Sequence, residues 1–357
     1  MTTEERPAAN ALPARGLFVG GSAGGRMGAR PLGKADPAAA LARGVQATTS
    51  FLLWDRNVRL LIDLGTGLEA SLQVSRRLAL RDPQAETFLA LTHYHEDHWC
   101  GLRWGRPLGP DDLPRTAFSP LFAAGFSRTA ADCGVSPLQR VIDRLNEPGI
   151  WPTPVLDPQT RIQHSTFDPG GTLTLGSWSV GTCSLPHPGG CVGYRVEMPG
   201  GPTIAFATDC ELLDRNASDA VDAFFDGVDV LVIDVQYLDD EYAGRAPLGG
   251  LVRDRRGWGH NSPRMVAQAL ARLKRSPRLV LLTHHDPDRT ISDLHEDVLA
   301  FELRRRIAEG LSRSTSSSRD LPIVRSLFDG DLWDLDDLSF PRRVEADEAH
   351  FGEGQNS

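Results

Sequence analysis

The sequence predicts a layered α/β protein, in which β-sheets lie at the centre and helices cover them. Short apolar runs separated by turn residues follow one another from about Gly16 onwards. Strand-like runs come first with few helices between them, and later they alternate with helical segments. This order is typical of sheets covered by helices. Most polar motifs directly follow an apolar strand, so the ends of several strands are expected to converge on one open edge.

The first predicted elements lie between residues 50 and 95. The stretch SFLLWDRNVRLLIDLGTG predicts two strands joined by the polar turn Asp55–Asn57, and the second strand ends at Asp63 before a glycine turn. A helix is predicted over Glu69–Leu80. A buried strand is predicted within ETFLALTHYH, because its apolar run has no helical spacing.

The later part of the chain contains five further predicted strand regions and two long helices. The helix within NSPRMVAQALARLKR (261–275) has Ser262 as its predicted cap and Pro263 in its first turn. The last helix is predicted within residues 291–311. The strand regions are TLTLGSWSVGTCSL (172–185), GCVGYRVEM (190–198), TIAFATD (203–209), DVLVIDVQY (229–237) and RLVLLTHH (278–285).

These elements predict one large domain over residues 16–310, flanked by two segments of lower order. Residues 1–15 are rich in proline and alanine and are expected to be disordered. Residues 103–165 are proline-rich, with one clear helix over 137–145, and we expect them to form a loop-and-helix excursion over the active site. Residues 311–357 are polar and then acidic, which predicts a loosely ordered tail.

Composition limits the classes of partner and the compartment. The formal net charge of −9 argues against a general nucleic-acid binder, which needs a basic face. The N-terminus lacks the apolar core of a signal peptide, and no stretch approaches the length of a membrane span, so a cytoplasmic protein is expected. The five cysteines have scattered spacings, which favours small buried thiols over disulfides or metal ligands.

The densest motif is LTHYHEDHWCGL, at residues 91–102. At strand spacing, His93 and His95 point to the same side and can bind one cation. Asp97 and His98 lie in the following turn and can reach a second cation. Imidazole and carboxylate together suit zinc, or manganese or iron in a more oxygen-rich shell. A polar surface turn is the weaker alternative, because the preceding LALT is typical of a core strand.

The order of five motifs resembles that of the metallo-β-lactamase fold superfamily over about residues 16–310. The motifs are IDLGTG, the histidine cluster, SLPHPGG, ATDCE and LLTHHDP. The resemblance implies a four-layer αββα sandwich. It also implies a hydrolase with two divalent metal ions, for which zinc is the first choice and manganese or iron the alternatives.

The resemblance also assigns the ligands residue by residue. It implies that Asp63 supports the histidine loop, and that the last ligand is His284, with His285 as a less favoured alternative. The implied first metal is held by His93, His95 and His187, the second by Asp97, His98 and His284, and Asp209 bridges the two.

Within the superfamily, the late motifs resemble the ribonuclease Z-like and cyclic-nucleotide phosphodiesterase-like branch. GYRVE, VLVIDVQYLDDEY, GHNSP and LLTHHDP follow in the order found there. The resemblance implies that His260 faces the scissile phosphate and is oriented by Asp234. An imidazole on a carboxylate can donate a proton to a leaving alkoxide. A loop histidine without a catalytic role and a turn acid are the alternatives for these two residues.

The expected function is therefore a dinuclear phosphodiesterase with hydroxide held by the metals as nucleophile. Asp97 or Asp209 could accept the proton of the attacking water. Only 21 residues separate His187 from Asp209, which leaves no room there for a tRNA-binding arm. The expected substrate is therefore a small phosphodiester such as a cyclic nucleotide. Members of the superfamily are often dimers, so a homodimer is a further expectation.

Two departures from the branch and one basic cluster bear on the substrate. A GNTS-like stretch appears only as the looser VQATTSFLL, and the link GRAPLGGLVRDRRGWGH before His260 is longer than usual. Arg253, Arg255 and Arg256 within that link could bind a phosphate, with a solvated loop as an equal alternative. A metal-dependent acyl hydrolase (lactonase, thioesterase or β-lactamase type) and a non-enzymatic metal-binding sensor are the alternative functions.

Overall fold

Two β-sheets packed face to face form the centre of the protein, and helices cover both outer faces. This arrangement, seen in a computed structural model of the chain, confirms the predicted αββα sandwich. None of the described helices is long and apolar enough to cross a membrane. The structure describes residues 12–24, 47–104, 116–120, 136–147, 154–155, 163–213, 219–289, 293, 297–312, 321–338 and 342–343.

The first sheet has eight strands among the described residues, in the order β17-β16-β1-β2-β3-β4-β5-β6. Strand β3 runs parallel to β4, and β4 runs parallel to β5. Its strands are β1 (Gly16–Gly21), β2 (Ser50–Trp54), β3 (Val58–Ile62), β4 (Glu86–Ala90), β5 (Thr116–Pro120), β6 (Gln163–Phe167), β16 (Asp331–Asp334) and β17 (Arg342–Arg343).

The second sheet has seven described strands, in the order β15-β14-β11-β10-β9-β8-β7, and a separate hairpin is formed by β12 and β13. Strands β10, β11, β14 and β15 run parallel to one another, whereas β9 is antiparallel to β10. The strands are β7 (Thr172–Leu175), β8 (Trp178–Leu185), β9 (Cys191–Glu197), β10 (Thr203–Ala207), β11 (Val230–Asp234), β12 (Ala243–Leu248), β13 (Leu251–Asp254), β14 (Leu279–Thr283) and β15 (Ile323–Ser326).

The four longest helices of the described residues lie at predicted positions, whereas three short ones were not predicted. The longest is the last, and a short 3₁₀ turn over Glu96–His98 carries part of the histidine cluster. The helices are α1 (Leu68–Arg81), α2 (Gly101–Trp104), α3 (Pro137–Leu145), α4 (Asp219–Phe225), α5 (Asp239–Tyr242), α6 (Pro263–Arg272) and α7 (Val298–Ser312).

Three apolar layers hold the sandwich together. The central layer lies between the two sheets, where Phe51 and Phe206 pack with their ring centroids 5.5 Å apart. The layer on the first sheet is covered by α1 and α3, for example by Leu72. The layer on the second sheet is covered by α4, α6 and α7, for example by Leu270. Burial of these side chains supplies the main stabilisation of the fold.

The region 103–165 differs in part from the expected excursion. The helix over 137–145 is present, and Ser136 accepts a hydrogen bond from the backbone N–H of Gln139 at its start. However, strands β5 and β6 belong to the first sheet, where they pair parallel to each other. The two strands were not predicted from the sequence, because they contain polar residues and the strands they pair with are distant along the chain. Apart from residues 103–104, 146–147 and 154–155, the rest of the predicted excursion lies outside the described residues.

The boundary predicted at residue 310 is wrong. Residues 321–338 form β15 in the second sheet and β16 in the first, so this part of the expected loose tail belongs to the core. Trp333 of β16 is fully buried in the layer between the sheets. At the other end, the predicted disordered segment 1–15 is described only from Leu12, and Arg15 pairs with Asp336 at 2.6 Å.

The predicted cap of α6 also differs from the observed one. Ser262 occupies the capping position, but its hydroxyl donates to Asp239 Oδ1 at 2.7 Å and accepts no hydrogen bond from the helix backbone. The same Asp239 oxygen accepts from the backbone N–H of Arg264 at 3.0 Å. A carboxylate from the preceding helix α5 therefore caps α6. The four cysteines within the described residues are buried and free, as predicted.

Candidate metal centre and active site

The candidate site lies where the carboxyl ends of parallel strands from both sheets meet. Asp63 follows β3, and the histidine cluster follows the neighbouring strand β4. In the second sheet, Asp209 follows β10, Asp234 ends β11 and His284 follows β14. Carboxyl ends of parallel strands lie at one edge of a sheet, which is where α/β proteins place their ligands. The predicted convergence of strand ends is therefore observed.

Asp63 supports the histidine loop, as the resemblance implied. Its Oδ2 lies 2.7 Å from His98 Nδ1 and accepts from the Thr92 hydroxyl at 2.8 Å, while Oδ1 accepts from the Thr92 N–H at 2.8 Å. Asp63 is fully buried and has φ +60°, a backbone conformation that aspartate tolerates better than most residues. The bond fixes the ring of His98 and leaves its Nε2 facing the site.

Three histidines form the first candidate cation site. One ring nitrogen from each of His93, His95 and His187 lies within 4.8 Å of the other two. His187 Nε2 is 3.0 Å from His95 Nδ1, and the other nitrogen of His187 lies 3.0 Å from the carbonyl oxygen of Gly259. His93 Nδ1 is 3.0 Å from the Thr92 hydroxyl. The three imidazoles therefore converge as a tridentate set. The rings of His93 and His187 are oriented by the partners of their Nδ1 atoms.

The second candidate cation site is formed by Asp97, His98 and His284, whose ligand atoms also lie within 4.8 Å of one another. His284 Nε2 is 3.4 Å from Asp97 Oδ2, and His98 Nε2 is 3.6 Å from the same oxygen. The rings of His98 and His284 are stacked, with centroids 5.6 Å apart. The second half of the cluster thus faces a histidine from the other sheet.

Asp209 lies between the two sets. Its Oδ1 is 3.2 Å from His98 Nε2, and its Oδ2 is 3.1 Å from His284 Nε2. The same Oδ2 is 3.8 Å from both His93 Nε2 and His187 Nε2. One carboxylate therefore faces histidines of both candidate sites, which is the placement that a bridging ligand needs.

The structure distinguishes between the two candidates for the last ligand. His284 turns toward Asp209 and Asp97, whereas His285 Nε2 lies 3.0 Å from the carbonyl oxygen of Leu327 in the interior. His284 has φ +61°, which is uncommon for a residue with a side chain. A Cβ on Gly24 would lie 2.6 Å from the His284 ring, so only glycine fits beside it. Gly24 was not identified from the sequence.

The donor atoms fit divalent metal ions. His93 Nε2, His98 Nε2, His284 Nε2 and both oxygens of Asp209 are buried and make no hydrogen bond of normal geometry. Buried polar atoms are nearly always hydrogen-bonded, so such a group of unsatisfied atoms requires another partner. A mixed set of imidazole nitrogens and carboxylate oxygens is suited to zinc, manganese or iron.

The protonation states of His93 and His187 favour metal binding, whereas that of His98 does not. Burial lowers the pKa of His187 to about 4 and holds the pKa of His93 well below its usual value. A histidine must be neutral to bind a metal, so these two rings need release no proton at pH 7. Burial opposes the charge of His98 as well, but Asp209, Asp63 and Asp97 outweigh it and raise its pKa well above the usual value.

The predicted His260 and Asp234 pair lies beside the metal-ligand cluster. His260 Nδ1 is 2.7 Å from Asp234 Oδ2, and Asp234 is fully buried. The His260 ring is stacked on His284 at 4.7 Å and meets His187 edge-on at 5.4 Å. Burial raises the pKa of Asp234 well above its usual value and lowers the pKa of His260. Asp234 thus orients the ring of His260, which also lies within the candidate metal-binding groups His187–Asp209–His260 and Asp234–His260–His284.

The three candidate arginines have different environments. Arg255 is buried and donates to the carbonyl oxygens of Glu241 and Arg253, at 2.8 and 3.0 Å, so it serves the interior and cannot reach a substrate. Arg256 is exposed and paired with Asp254. Arg253 is exposed, with its guanidinium 5.3 Å from the ring centroid of the exposed Trp258. Sequence reasoning could not distinguish these three environments.

Gly259 is a second site residue that the sequence analysis missed. It has φ +91°, and a Cβ there would lie 2.2 Å from His187 Nδ1. The glycine in GWGH was visible in the sequence, but its contact with a histidine 72 positions away was not. By contrast, Tyr94 and Glu96 carry no ligand role: Tyr94 packs against the apolar layer under α1, and Glu96 pairs with Arg103.

Comparison with known proteins decides the family. The model of the beta-lactamase superfamily domain matches residues 58–285, which is more than half of the chain. The chain belongs to this superfamily. It is therefore a metallo-β-lactamase fold hydrolase with a candidate metal-binding cluster of histidines and aspartates, and the fold implies divalent metal binding.

Two solved structures with TM-scores above 0.5 agree on the fold. The metallo-beta-lactamase fold protein YhfI from Bacillus subtilis is 17% identical, with a TM-score of 0.53 over 89% of this chain and 98% of that one. Unliganded yeast PDE1 is 13% identical, with a TM-score of 0.51 over 88% and 97% of the two chains. A diphosphatase from the PhnP family is 16% identical, with a TM-score of 0.49 over 89% and 97%. None of the curated proteins compared with the chain matches it.

Proposed function

We propose that the protein is a dinuclear metal-dependent phosphodiesterase that acts on a small phosphodiester such as a cyclic nucleotide. The observation that carries the proposal is the His260–Asp234 pair, 2.7 Å apart, beside the metal-ligand cluster. Acyl transfer by a dinuclear metal site does not need such a pair. Phosphodiester cleavage does benefit from it, because the leaving alkoxide must acquire a proton.

The metals would be held by the residues described above. One ion would be bound by His93, His95 and His187. The other ion would be bound by Asp97, His98 and His284, and Asp209 would bind both ions. Zinc is the proposed metal because five imidazoles dominate the set, with manganese and iron as alternatives. Two divalent ions in this arrangement would supply positive charge for the phosphoryl oxygens and lower the pKa of an attacking water.

Each remaining site residue has a defined task in this proposal. The hydrogen-bonded pair of His260 and Asp234 supplies the proton that the His260 ring donates to the leaving oxygen, and Asp234 keeps that ring in the required orientation. Asp97, whose side chain is 15% exposed, can accept the proton of the attacking water. Asp63 and Gly259 hold the rings of His98 and His187, so the site is organised before the substrate arrives.

A small substrate is supported by the chain between His187 and Asp209. This segment contains only the hairpin of β9 and β10, so residues 187–209, all of them described, hold no arm for a tRNA. The net charge of −9 also disfavours a large polyanion. Arg253 is the arginine proposed to bind the substrate phosphate, since its guanidinium is exposed near the loop that carries His260.

A substrate screen tests the proposal. The purified protein, loaded in turn with zinc, manganese and ferrous iron, would be assayed on bis(p-nitrophenyl) phosphate, cyclic mononucleotides and cyclic dinucleotides, beside a lactone and a thioester. We expect turnover of at least one phosphodiester that is abolished in the matched variant Asp209→Asn. Preference for the lactone or thioester would instead establish the acyl hydrolase.

Two further outcomes separate the remaining alternatives. Full metal occupancy without turnover of any ester would favour the non-enzymatic sensor and overturn the proposal. We also propose a homodimer, which light scattering of the metal-loaded protein would detect as twice the chain mass of 38.9 kDa. A monomer would remove the dimer but not the phosphodiesterase.

A further inference from the structure

Glu211 is a buried acid close to the candidate active site, and the proposed phosphodiesterase chemistry gives it no role. It lies two residues after Asp209, in the segment that leaves β10, and it is only 5% exposed. A carboxylate is costly to bury unless its oxygens are well hydrogen-bonded. Its partners therefore indicate what it is for.

The carboxylate of Glu211 accepts three hydrogen bonds. Oε1 accepts from the Tyr242 hydroxyl at 2.5 Å and from the backbone N–H of Gly257 at 2.7 Å. Oε2 accepts from the backbone N–H of Gly259 at 3.0 Å. Hydrogen bonds to a charged acceptor are about twice as strong as neutral ones. Two of the three hold alternate residues of the loop that leads into His260.

This loop needs an external restraint. Gly257 and Gly259 have φ +82° and +91°, in the region that glycine alone enters readily. Two glycines separated by one residue give the loop many alternative conformations. One carboxylate that binds both backbone N–H groups selects a single conformation among them.

The restrained loop sets the orientation of a metal-ligand candidate. The carbonyl oxygen of Gly259 lies 3.0 Å from His187 Nδ1. The backbone N–H of Glu211 also donates to the carbonyl oxygen of Pro186, next to His187, at 2.8 Å. His187 is therefore held from both sides through Glu211, by its own chain and by its ring.

The same loop sets the position of the proposed proton donor. His260 follows Gly259 directly, and its ring lies 5.4 Å from that of His187. A displacement of Gly259 moves both rings together. Glu211 thus connects the strand that carries Asp209 with the loop that carries His260.

We propose that Glu211 is a positioning residue, which fixes residues 257–260 so that His187 meets the metal and His260 meets the leaving oxygen. The part that concerns His260 rests on the proposed phosphodiesterase function. The part that concerns His187 depends only on metal binding. The two parts can therefore fail separately.

The test is Glu211→Gln, which turns one of the two acceptor oxygens into an NH₂ group facing a hydrogen-bond donor. Zinc affinity, measured by competition with a chromogenic chelator, is expected to fall about 10- to 100-fold, as for other groups that orient a ligand. Turnover at saturating metal is expected to fall about 10-fold more for a phosphodiester with an alkyl leaving group than for bis(p-nitrophenyl) phosphate. p-Nitrophenolate leaves without a proton, whereas an alkoxide does not.

Three further variants complete the test. Glu197→Gln changes an exposed acid at the end of β9 and should leave zinc affinity and both turnover rates unchanged. Tyr242→Phe removes one of the three hydrogen bonds and should give a smaller loss of affinity than Glu211→Gln. If Glu211→Gln does not fold, Glu211→Asp, which withdraws the carboxylate from the loop, is measured in its place with the same expectations.

Two results would overturn the proposal. One is a lower melting temperature of Glu211→Gln with unchanged zinc affinity, since this would assign Glu211 to stability alone. The other is an equal loss of turnover with both leaving groups, which would show that Glu211 does not act through His260. If the wild-type protein cleaves no phosphodiester, the proposed function fails, but the loss of zinc affinity still tests the positioning of His187.

Discussion

Gly259 is the residue whose replacement most directly tests the arrangement of the site. A methyl group at this position would lie 2.2 Å from His187 Nδ1, on backbone that glycine adopts most readily. We expect Gly259→Ala to lower zinc affinity about 10- to 100-fold, because it displaces a ligand ring. Chelator competition measures this effect.

Gly257 provides the matched control for that variant. It has a similar φ of +82°, but a Cβ there would meet no atom within 4 Å. Gly257→Ala therefore carries the backbone strain without the collision. If both variants lose the same affinity, strain in the loop and not contact with His187 is responsible.

Arg253 is the exposed member of the arginine cluster, and its role is predicted to be binding. We expect Arg253→Ala to raise KM for a cyclic nucleotide by about 5- to 10-fold at low salt and to leave kcat nearly unchanged, since one charge-assisted contact is lost. Steady-state kinetics at two salt concentrations measure this. Arg256→Ala, which breaks a surface pair with Asp254, is the control and should change little.

At the scale of elements, the loop between β15 and β16 supports the site from behind. Asp329 in this loop accepts from the backbone N–H and hydroxyl of Ser22, at 3.1 and 3.0 Å, and from the backbone N–H of Ala47 at 2.6 Å. Ser22 in turn accepts from the backbone N–H of His285, next to His284. The loop thus connects the first sheet with the end of β14.

Burial raises the pKa of Asp329 to about 6, which predicts a pH-dependent stability. The ordinary value near 3.9 applies to the unfolded chain, so the folded protein binds the extra proton between about pH 4 and 6. The stabilisation is complete below pH 4 and is lost as the pH rises through 6. In the metal-free protein, we expect the melting temperature of wild type to fall by a few degrees, relative to that of Asp329→Asn, as the pH rises from 4.5 to 7.5. Thermal unfolding measures this difference.

The same comparison has a clear negative outcome. A constant difference in melting temperature across this range would show that Asp329 titrates at its ordinary value. Asp336→Asn, which removes a carboxylate that pairs with Arg15 at the surface, serves as the control.

At the scale of the whole molecule, the last described strands belong to both sheets. A chain that ends after residue 312 lacks β15 and β16 and exposes β14 and β1, two strands with fully buried interiors. We expect this truncated chain to be insoluble or to lack cooperative unfolding. A chain that ends after residue 343 retains every described strand and should unfold cooperatively. Circular dichroism with thermal melting distinguishes the two, and a folded 1–312 chain would restore the boundary expected near 310.

The central elements and the ligands were predictable because their signals are local. The histidine cluster, the strand that precedes it and α1 each show their pattern within a few residues. His187, Asp209 and His284 required the order of motifs along the chain. Contacts made across the fold were not predictable, since no local pattern encodes them. Asp239 caps a helix 25 residues further on, Gly259 meets His187, and Arg255 is buried although both of its chain neighbours are exposed.

The division of residues 321–338 between the two sheets has a consequence for biosynthesis. The ribosome releases the chain from its N-terminus, and a nascent domain can complete only the pairings for which both partners have emerged. The histidine cluster emerges early. However, β1 pairs with β16, which emerges more than 300 residues later. Asp329, which braces the backbone beside His284, emerges within the same late segment. The metal centre is therefore completed only after residue 334 has emerged, and metal captured by the early histidines alone precedes the assembled site.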